Sequence, residues 1–287
     1  QSLRYLPVPG EWERKSHPQW SDAIFEVPPD RDGEVHYVTK GHFVRLGGTA
    51  LVERLPSGHV IKSVLRNPYS PIEEQENRQK MEREIEIYRL LRPTSYIPRL
   101  IDFDIQSCTL TLENQVNGDL ENYIKEHNIS LDIQRKWIQQ AVSSVSYIHL
   151  AGVVHTDLTP RNFLVDADCN LLLCDFAGSL LHGRSAFTGS LLQGQPVFAG
   201  CPGSRYQSRH WRKDYIPTCK DDIFALGSVI YLIEAGEEPY NSLPEYEVTR
   251  RFQNRLFPET GHLLTTSIIQ GCWQGKFSSA DEAMKTL

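Results

Sequence analysis

The sequence predicts a two-lobed α+β fold, with a small β-rich N-lobe that carries one helix and a larger, mainly helical C-lobe. Three observations predict it. Strand-like runs separated by turn signals crowd the chain before residue 113. One long, charge-rich stretch with a helical apolar stripe interrupts them. After Gly118 the chain turns mostly helical. At 287 residues, 40% hydrophobic and 23% charged, the chain is long enough for two lobes and too apolar for disorder to dominate.

Residues 1–39, with Pro7, Pro9, Pro18, Pro28 and Pro29, read as an N-terminal extension. The folded region is expected at 40–287, with the N-lobe at about 40–113 and the C-lobe at about 120–287; the resemblance set out below implies a hinge at about 113–119 between them. Ala50 to Leu55 is strand-like, Pro56-Ser57-Gly58 signals a turn, and His59 to Val64 reads as the returning strand. In residues 72–91, Met81, Ile85, Tyr88 and Leu91 fall on one helical face, and Pro93 lies just past its end. Leu100 to Ile105 and Thr109 to Glu113 read as two more strands. In the second lobe, Ile133, Trp137, Ala141, Val145 and Ile148 make a helical stripe, with Gly152 as its C-cap. Short apolar runs follow at Asn162 to Val165 and Leu171 to Cys174, and Asp222 to Ala235 suits a buried helix.

Composition narrows the function. The net charge of −6 gives no support for a nucleic-acid partner, which draws on a basic face. No apolar run approaches the ~20 residues of a membrane helix, so no membrane partner is expected. The six cysteines, Cys108, Cys169, Cys174, Cys201, Cys219 and Cys272, include no CxxC pair. They read as free thiols of an intracellular protein, cytoplasmic or nuclear, and the sequon Asn128-Ile129-Ser130 then reads as chance.

The chemistry-bearing pattern is His155-x-Asp157-x-x-x-x-Asn162, followed by Asp175-Phe176-Ala177-Gly178. Asn162 lies 5 residues after Asp157, and Asp175 lies 18 after it. Phosphoryl transfer needs a carboxylate to orient the acceptor hydroxyl, oxygen ligands for Mg²⁺ and a cation on the phosphates. Asp157 suits the first role, and Asn162 and Asp175 suit the second. Taken singly, His155 reads as a structural histidine, Asp119 and Asp222 as helix caps, Lys62 as a surface lysine and Leu112 as core.

Taken together, in this order and spacing, these motifs resemble the eukaryotic protein-kinase superfamily over about residues 40–287, in a divergent form similar to short kinase-like chains of filamentous fungi. His155-Thr156-Asp157…Asn162 resembles the catalytic loop, and Asp175-Phe176-Ala177 resembles the Mg-binding Asp-Phe-Gly. Lys62, in His59-Val60-Ile61-Lys62, resembles the third-strand lysine, with Glu84 as its helix partner and Glu82 and Glu86 as competitors. Leu112 falls at the gatekeeper position. Glu113 and Gln115 fall in the adenine-binding hinge, and Asp119 where an acid meets the ribose. Asp222-Ile223-Phe224-Ala225-Leu226-Gly227 resembles the helix start whose aspartate braces the catalytic loop. The resemblance implies ATP and Mg²⁺ as cofactors and an ATP cleft between the lobes. It implies catalytic roles for Asp157, Lys62, Glu84 and Asn162, and metal binding by Asn162 and Asp175. It also implies nucleotide contacts from Gly47, Gly48 and Val52, besides Lys62, Asp175 and the hinge residues. A protein substrate, transfer to Ser or Thr, and a monomeric state are expected.

The sequence departs from the family at five places. Of the glycine-loop pattern laid on Arg45 to Val52, only Gly47 and Val52 match, and Gly48 adds local freedom. Thr156 replaces the loop arginine that pairs with a phosphorylated activation loop, which implies activity independent of such phosphorylation. Thr159 replaces a phosphate-contacting lysine, a loss on the order of 2–4 kcal/mol unless another cation, Arg161 being near, takes over. Ala177 replaces the glycine of Asp-Phe-Gly. No Ala-Pro-Glu follows, and Ser204 to Trp211 stand in that region. These departures keep two alternatives open: a pseudokinase that binds nucleotide or acts as a scaffold, and a small-molecule kinase of the aminoglycoside or choline type.

Overall fold

The structure, a computed structural model, describes residues 3–181, 202–209 and 215–286. Cys201, His210 and Trp211 lie outside them. Two compact units divide the chain: residues 1–89 with 99–114, and residues 90–98 with 115–287. The mixed α/β composition, strands first and helices after, is that of the α+β class.

The first unit begins with strand β1 (Arg4–Val8), the short helix α1 (Glu11–Ser16) and strand β2 (Glu34–Val38); β1 and β2 pair in parallel. The segment read as an extension therefore carries regular structure. Thr39 and Glu13 join its parts: the Thr39 hydroxyl donates to Glu13 at 2.5 Å, and the Gly10 N–H donates to Thr39 Oγ1 at 3.0 Å.

Next come β3 (His42–Leu46), β4 (Leu51–Arg54), β5 (Val60–Ser63), helix α2 (Pro71–Leu90), β6 (Leu100–Asp104) and β7 (Thr109–Leu112). The five strands form one antiparallel sheet in the order β3-β4-β5-β7-β6. Alternation decides the faces: in β4, Leu51 and Glu53 are buried while Val52 is half-buried and Arg54 exposed. The buried Glu53 carboxylate is satisfied by the backbone N–H of Lys40 at 3.0 Å. On α2 the stripe of Met81, Ile85 and Tyr88 is buried, as is Leu91 just beyond it, so the helical spacing marks the core face.

The second unit contains α3 (Leu120–Glu126), α4 (Leu131–Leu150), β8 (Val153–Val154), β9 (Phe163–Val165), β10 (Leu171–Leu173), β11 (Leu180–Leu181), α5 (Cys219–Ala235), α6 (Glu245–Gln253), α7 (Thr266–Gln274) and α8 (Ala280–Met284). Ser130, of the sequon, caps the α4 N-terminus through its hydroxyl. Helix α5 is buried almost all round, from Asp222 to Ile233. Its ends are set locally, by a Thr218–Asp221 capping box at the start and Gly236 in the left-handed region at the finish. Gly227 lets α7 approach: a Cβ there would meet the Cys272 Cβ at 2.7 Å. β8 pairs with β11 and β9 with β10, two small antiparallel ladders, and β8 and β10 lie against α4; they carry the loops described next.

Candidate functional site

Two clusters of predicted residues form, one in each unit. In the first unit Lys62 sits on β5, directly opposite Val52 on β4 and Leu110 on β7. Its Nζ donates to Glu84 Oε2 at 2.6 Å. Glu84 is 1% exposed and Lys62 13%, so the pair is screened little by water. Glu82 and Glu86 are less buried than Glu84; the helical phase of α2 turns Glu84 inward with Ile85 and Ile87. A charge this deep requires its partner.

The β3–β4 connection is closed by the Gly47 N–H donating to the Ala50 carbonyl at 2.9 Å. Neither Gly47 nor Gly48 has a positive φ, and a Cβ on Gly48 would meet nothing within 4 Å. The fold itself does not demand glycine there, which leaves close approach of another group to the backbone as a use for it. Leu112, at the end of β7, pairs with Val60 and Leu100. Beyond it the Glu113 N–H donates to the Arg99 carbonyl at 2.9 Å. The Glu113 carbonyl and the Gln115 N–H each bond to nothing among the described residues.

In the second unit the β9–β10 register does most of the assembly. Phe163 pairs with Leu173, and just outside that pair the Cys174 N–H donates to the Asn162 carbonyl at 2.8 Å. Asn162 and Asp175 are thereby neighbours although 13 residues separate them in sequence. Asn162, 5% exposed, donates through Nδ2 to the Asp157 carbonyl at 2.7 Å and to Asp157 Oδ2 at 3.1 Å. Its Oδ1 accepts no hydrogen bond among the described residues. A side-chain oxygen so left, on a backbone held next to that of Cys174-Asp175, is hard-ligand chemistry that fits Mg²⁺.

The loop holding Asp157 is anchored from beneath. Asp222, one turn into α5 and 1% exposed, accepts the His155 N–H at 2.7 Å, the Thr156 N–H at 2.9 Å and His149 Nε2 at 2.9 Å. Burial pushes His149 towards its neutral form, but hydrogen bonds and charge from Asp222 and Cys219 outweigh it and raise the imidazole to about 9. His155 bridges onward: its Nδ1 accepts the Asp157 N–H at 3.3 Å, so Nε2 carries the hydrogen and donates to the Cys174 carbonyl at 3.0 Å. Thr156 has φ 68°, a costly conformation for a β-branched residue, and its hydroxyl donates to the Gly178 carbonyl at 2.8 Å. Asp175 also lies in the left-handed region, at φ 67°, which aspartate tolerates better.

Other predicted positions serve the local fold. Asp119 is the N-cap of α3, accepting the Asn122 N–H at 3.0 Å and Asn122 Nδ2 at 2.8 Å; lone pairs remain on both oxygens. Arg161 is tied to Glu121 at 2.5 Å. Burial works to raise the Glu121 carboxyl, but Arg161 and Lys125 together hold it below its ordinary value. Where Ala-Pro-Glu is missing, Ser204–Tyr206 form a 3₁₀ turn. Arg205 donates to the carbonyls of Tyr240 at 3.2 Å and Leu243 at 2.8 Å, and the buried Tyr206 hydroxyl donates to Glu238 at 2.9 Å. The sequence offered no signal for His149, whose partner lies 73 residues away.

A family model of the protein kinase domain matches residues 59–267, well over half of the chain. The chain belongs to the protein kinase family. The family in general uses ATP with Mg²⁺, and the residues above fit both groups. This kinase-family chain is 28% identical to CBL-interacting serine/threonine-protein kinase 15 of Arabidopsis thaliana, over 65% of its own length and 45% of the relative's. It is 27% identical to a probable serine/threonine-protein kinase of Dictyostelium discoideum, over 58% of its length and 18% of the relative's. It is 26% identical to serine/threonine-protein kinase PDK1 of Cryptococcus neoformans, over 53% and 12%. The chain thus spans less than half the length of these relatives. Among the described residues no helix is long and apolar enough to cross a membrane.

Proposed function

We propose that this chain binds Mg-ATP and transfers the γ-phosphoryl group to Ser or Thr hydroxyls of a protein substrate, acting as an intracellular monomer with residues 40–287 as the catalytic region. The observation that carries the reading is Asn162, whose side chain holds Asp157 through Nδ2 while its carbonyl accepts the N–H of Cys174, the residue before Asp175. Mg²⁺, when bound, spreads the negative charge of the phosphates. Asn162 and Asp175 hold it. Lys62, fixed by Glu84, brings positive charge to the phosphates. Asp157 orients the acceptor hydroxyl and takes its proton. The Glu113 carbonyl and Gln115 N–H take the adenine edge, Val52 and Leu112 its faces, and Asp119 a ribose hydroxyl. Gly47 and Gly48 offer backbone to the phosphates. The names of the relatives support Ser or Thr as acceptor.

One observation favours a second reading, nucleotide binding without transfer. Arg161, the nearest cation in sequence to Thr159, is committed to Glu121, so no replacement for the missing lysine is provided from there. Both readings meet one experiment: thermal stability with and without Mg-ATP, then ADP release with a generic protein substrate, for the wild type, Asp157→Ala and Asp175→Asn. Nucleotide at about 100 times its Kd is expected to stabilise by about 2.7 kcal/mol. Release of ADP that Asp157→Ala abolishes supports transfer. Stabilisation without Asp157-dependent turnover refutes it and leaves the second reading.

A further inference from the structure

The first unit contains a cavity of about 440 Å³, and the kinase reading uses none of its lining except the Gly47-Gly48 turn. Its walls come from β1, the β3–β4 turn and the start of α2. Among the described residues that line it, Glu73 alone is charged, and none is Lys, Arg or His. Two phenol rings, Tyr5 and Tyr69, line it as well. Gly47 and Gly48, assigned above to the nucleotide phosphates, form one edge of the cavity, while the carboxylate and phenol side chains of the rest of its wall suit a cation.

The lining is held in place. Asn67, 5% exposed, donates through Nδ2 to Glu73 at 3.0 Å and through its backbone N–H to Glu74 at 2.7 Å. The Tyr69 hydroxyl donates to the Arg31 carbonyl at 2.5 Å, which fixes that ring. Burial, then the Glu73 and Glu74 charges, push the Tyr5 phenol up. Asn77 also lines the cavity; it is 9% exposed, and its Oδ1 accepts from Lys80 Nζ at 3.5 Å.

We propose that this cavity binds a small organic cation, an ammonium on an apolar body, with the charge at Glu73 and the body against Tyr5 and Tyr69. Ring faces attract a cation, a carboxylate adds a hydrogen-bonded counter-charge, and neither favours an anion. The inference stands independently of phosphoryl transfer.

The test is calorimetric titration of the full chain with 2-phenylethylamine, 2-phenylethanol and phenylacetate, which share a ring and differ in charge. The amine is expected to bind at least about 10-fold tighter than the alcohol, a difference of about 1.4 kcal/mol, and phenylacetate weakest. Glu73→Gln is expected to erase the preference and Tyr5→Leu to weaken all three ligands. Glu73 is exposed on the first turn of α2, and a melting curve checks that the variant folds; if it does not, Tyr69→Leu reports the same site by weakening the amine. Saturating Mg-ATP is expected to leave amine binding in place. Equal binding of amine and alcohol, a preference that survives Glu73→Gln in folded protein, or displacement of the amine by Mg-ATP would each overturn the proposal.

Discussion

Neutralising His149 is expected to loosen the support of the catalytic loop, and pH does this without a mutation. The imidazole is raised from 6.5 to about 9 in the folded chain. Because the folded value lies above the unfolded one, the stabilisation is fully present below about pH 6.5 and is lost as pH climbs through about 9. The gap corresponds to about 3 kcal/mol, and at 9% side-chain exposure little of it is screened away. Urea unfolding of the wild type and His149→Gln, between about pH 6 and about pH 10, isolates this contribution as the difference between two curves. The wild type should lose about 3 kcal/mol more than the variant across that interval. Proton NMR of the His149 ring gives the midpoint directly. Parallel curves, or a ring that titrates near its ordinary 6.5, would refute the argument that Asp222 keeps the imidazole charged.

Three further substitutions test separate contacts. Thr156→Val keeps the shape but removes the donor to Gly178, leaving a buried carbonyl short of a partner; a loss of about 1–3 kcal/mol in chemical unfolding is expected. Glu84→Gln removes the carboxylate facing Lys62 and should destabilise by about 3 kcal/mol while lowering kcat/KM for ATP about 100-fold, read by unfolding and steady-state kinetics. Gly48→Ala meets no atom within 4 Å and needs no change of φ, so stability should hold or rise by up to about 1 kcal/mol. If the β3–β4 turn approaches the nucleotide, the same variant raises the KM for ATP; an unchanged KM removes the glycine pair from the nucleotide site.

Local rules explain what could be read in the sequence. The β4–β5 strands announced themselves because Pro56-Ser57-Gly58 supplies the turn and both flanks are strand-like. Helix α2 did so because Met81, Ile85 and Tyr88 keep one phase over two turns. The pairing of β1 with β2 had no such sign: parallel strands share no tight turn, Pro7 sits within one of them, and the partners Arg4 and Glu34 are 30 residues apart. The site divides in the same way. Asp157, Asn162 and Asp175 could be singled out because their spacing is itself the signal. Thr156 reads only as a missing arginine, since nothing in the sequence says that its hydroxyl reaches Gly178. The resemblance pointed to Asp222 as the loop's brace, but not to the imidazole beside it.

That difference has a physical root. A short motif survives in sequence when several of its groups must serve one ligand at fixed spacing. A supporting contact needs only one donor and one acceptor, and the chain can bring them together from almost any separation. Asp222 shows the consequence. Its carboxylate takes two consecutive backbone N–H groups of the loop and, from the other side, a histidine from the end of α4. The backbone groups are present whatever residues stand at 155 and 156, so the arginine's loss at position 156 does not disturb this anchor. What residue 156 adds is a tie to the segment after Asp175, and threonine supplies it through a short, fully buried hydroxyl. A long cation at that position would instead need a counter-charge from elsewhere. On the proposed reading, the loop is held by contacts built into the fold and does not wait for a phosphate to be added. Mass spectrometry of the active protein, followed by phosphatase treatment, tests this: activity should persist when any phosphate on residues 176–209 has been removed, and its loss would show that Thr156 has not replaced that control.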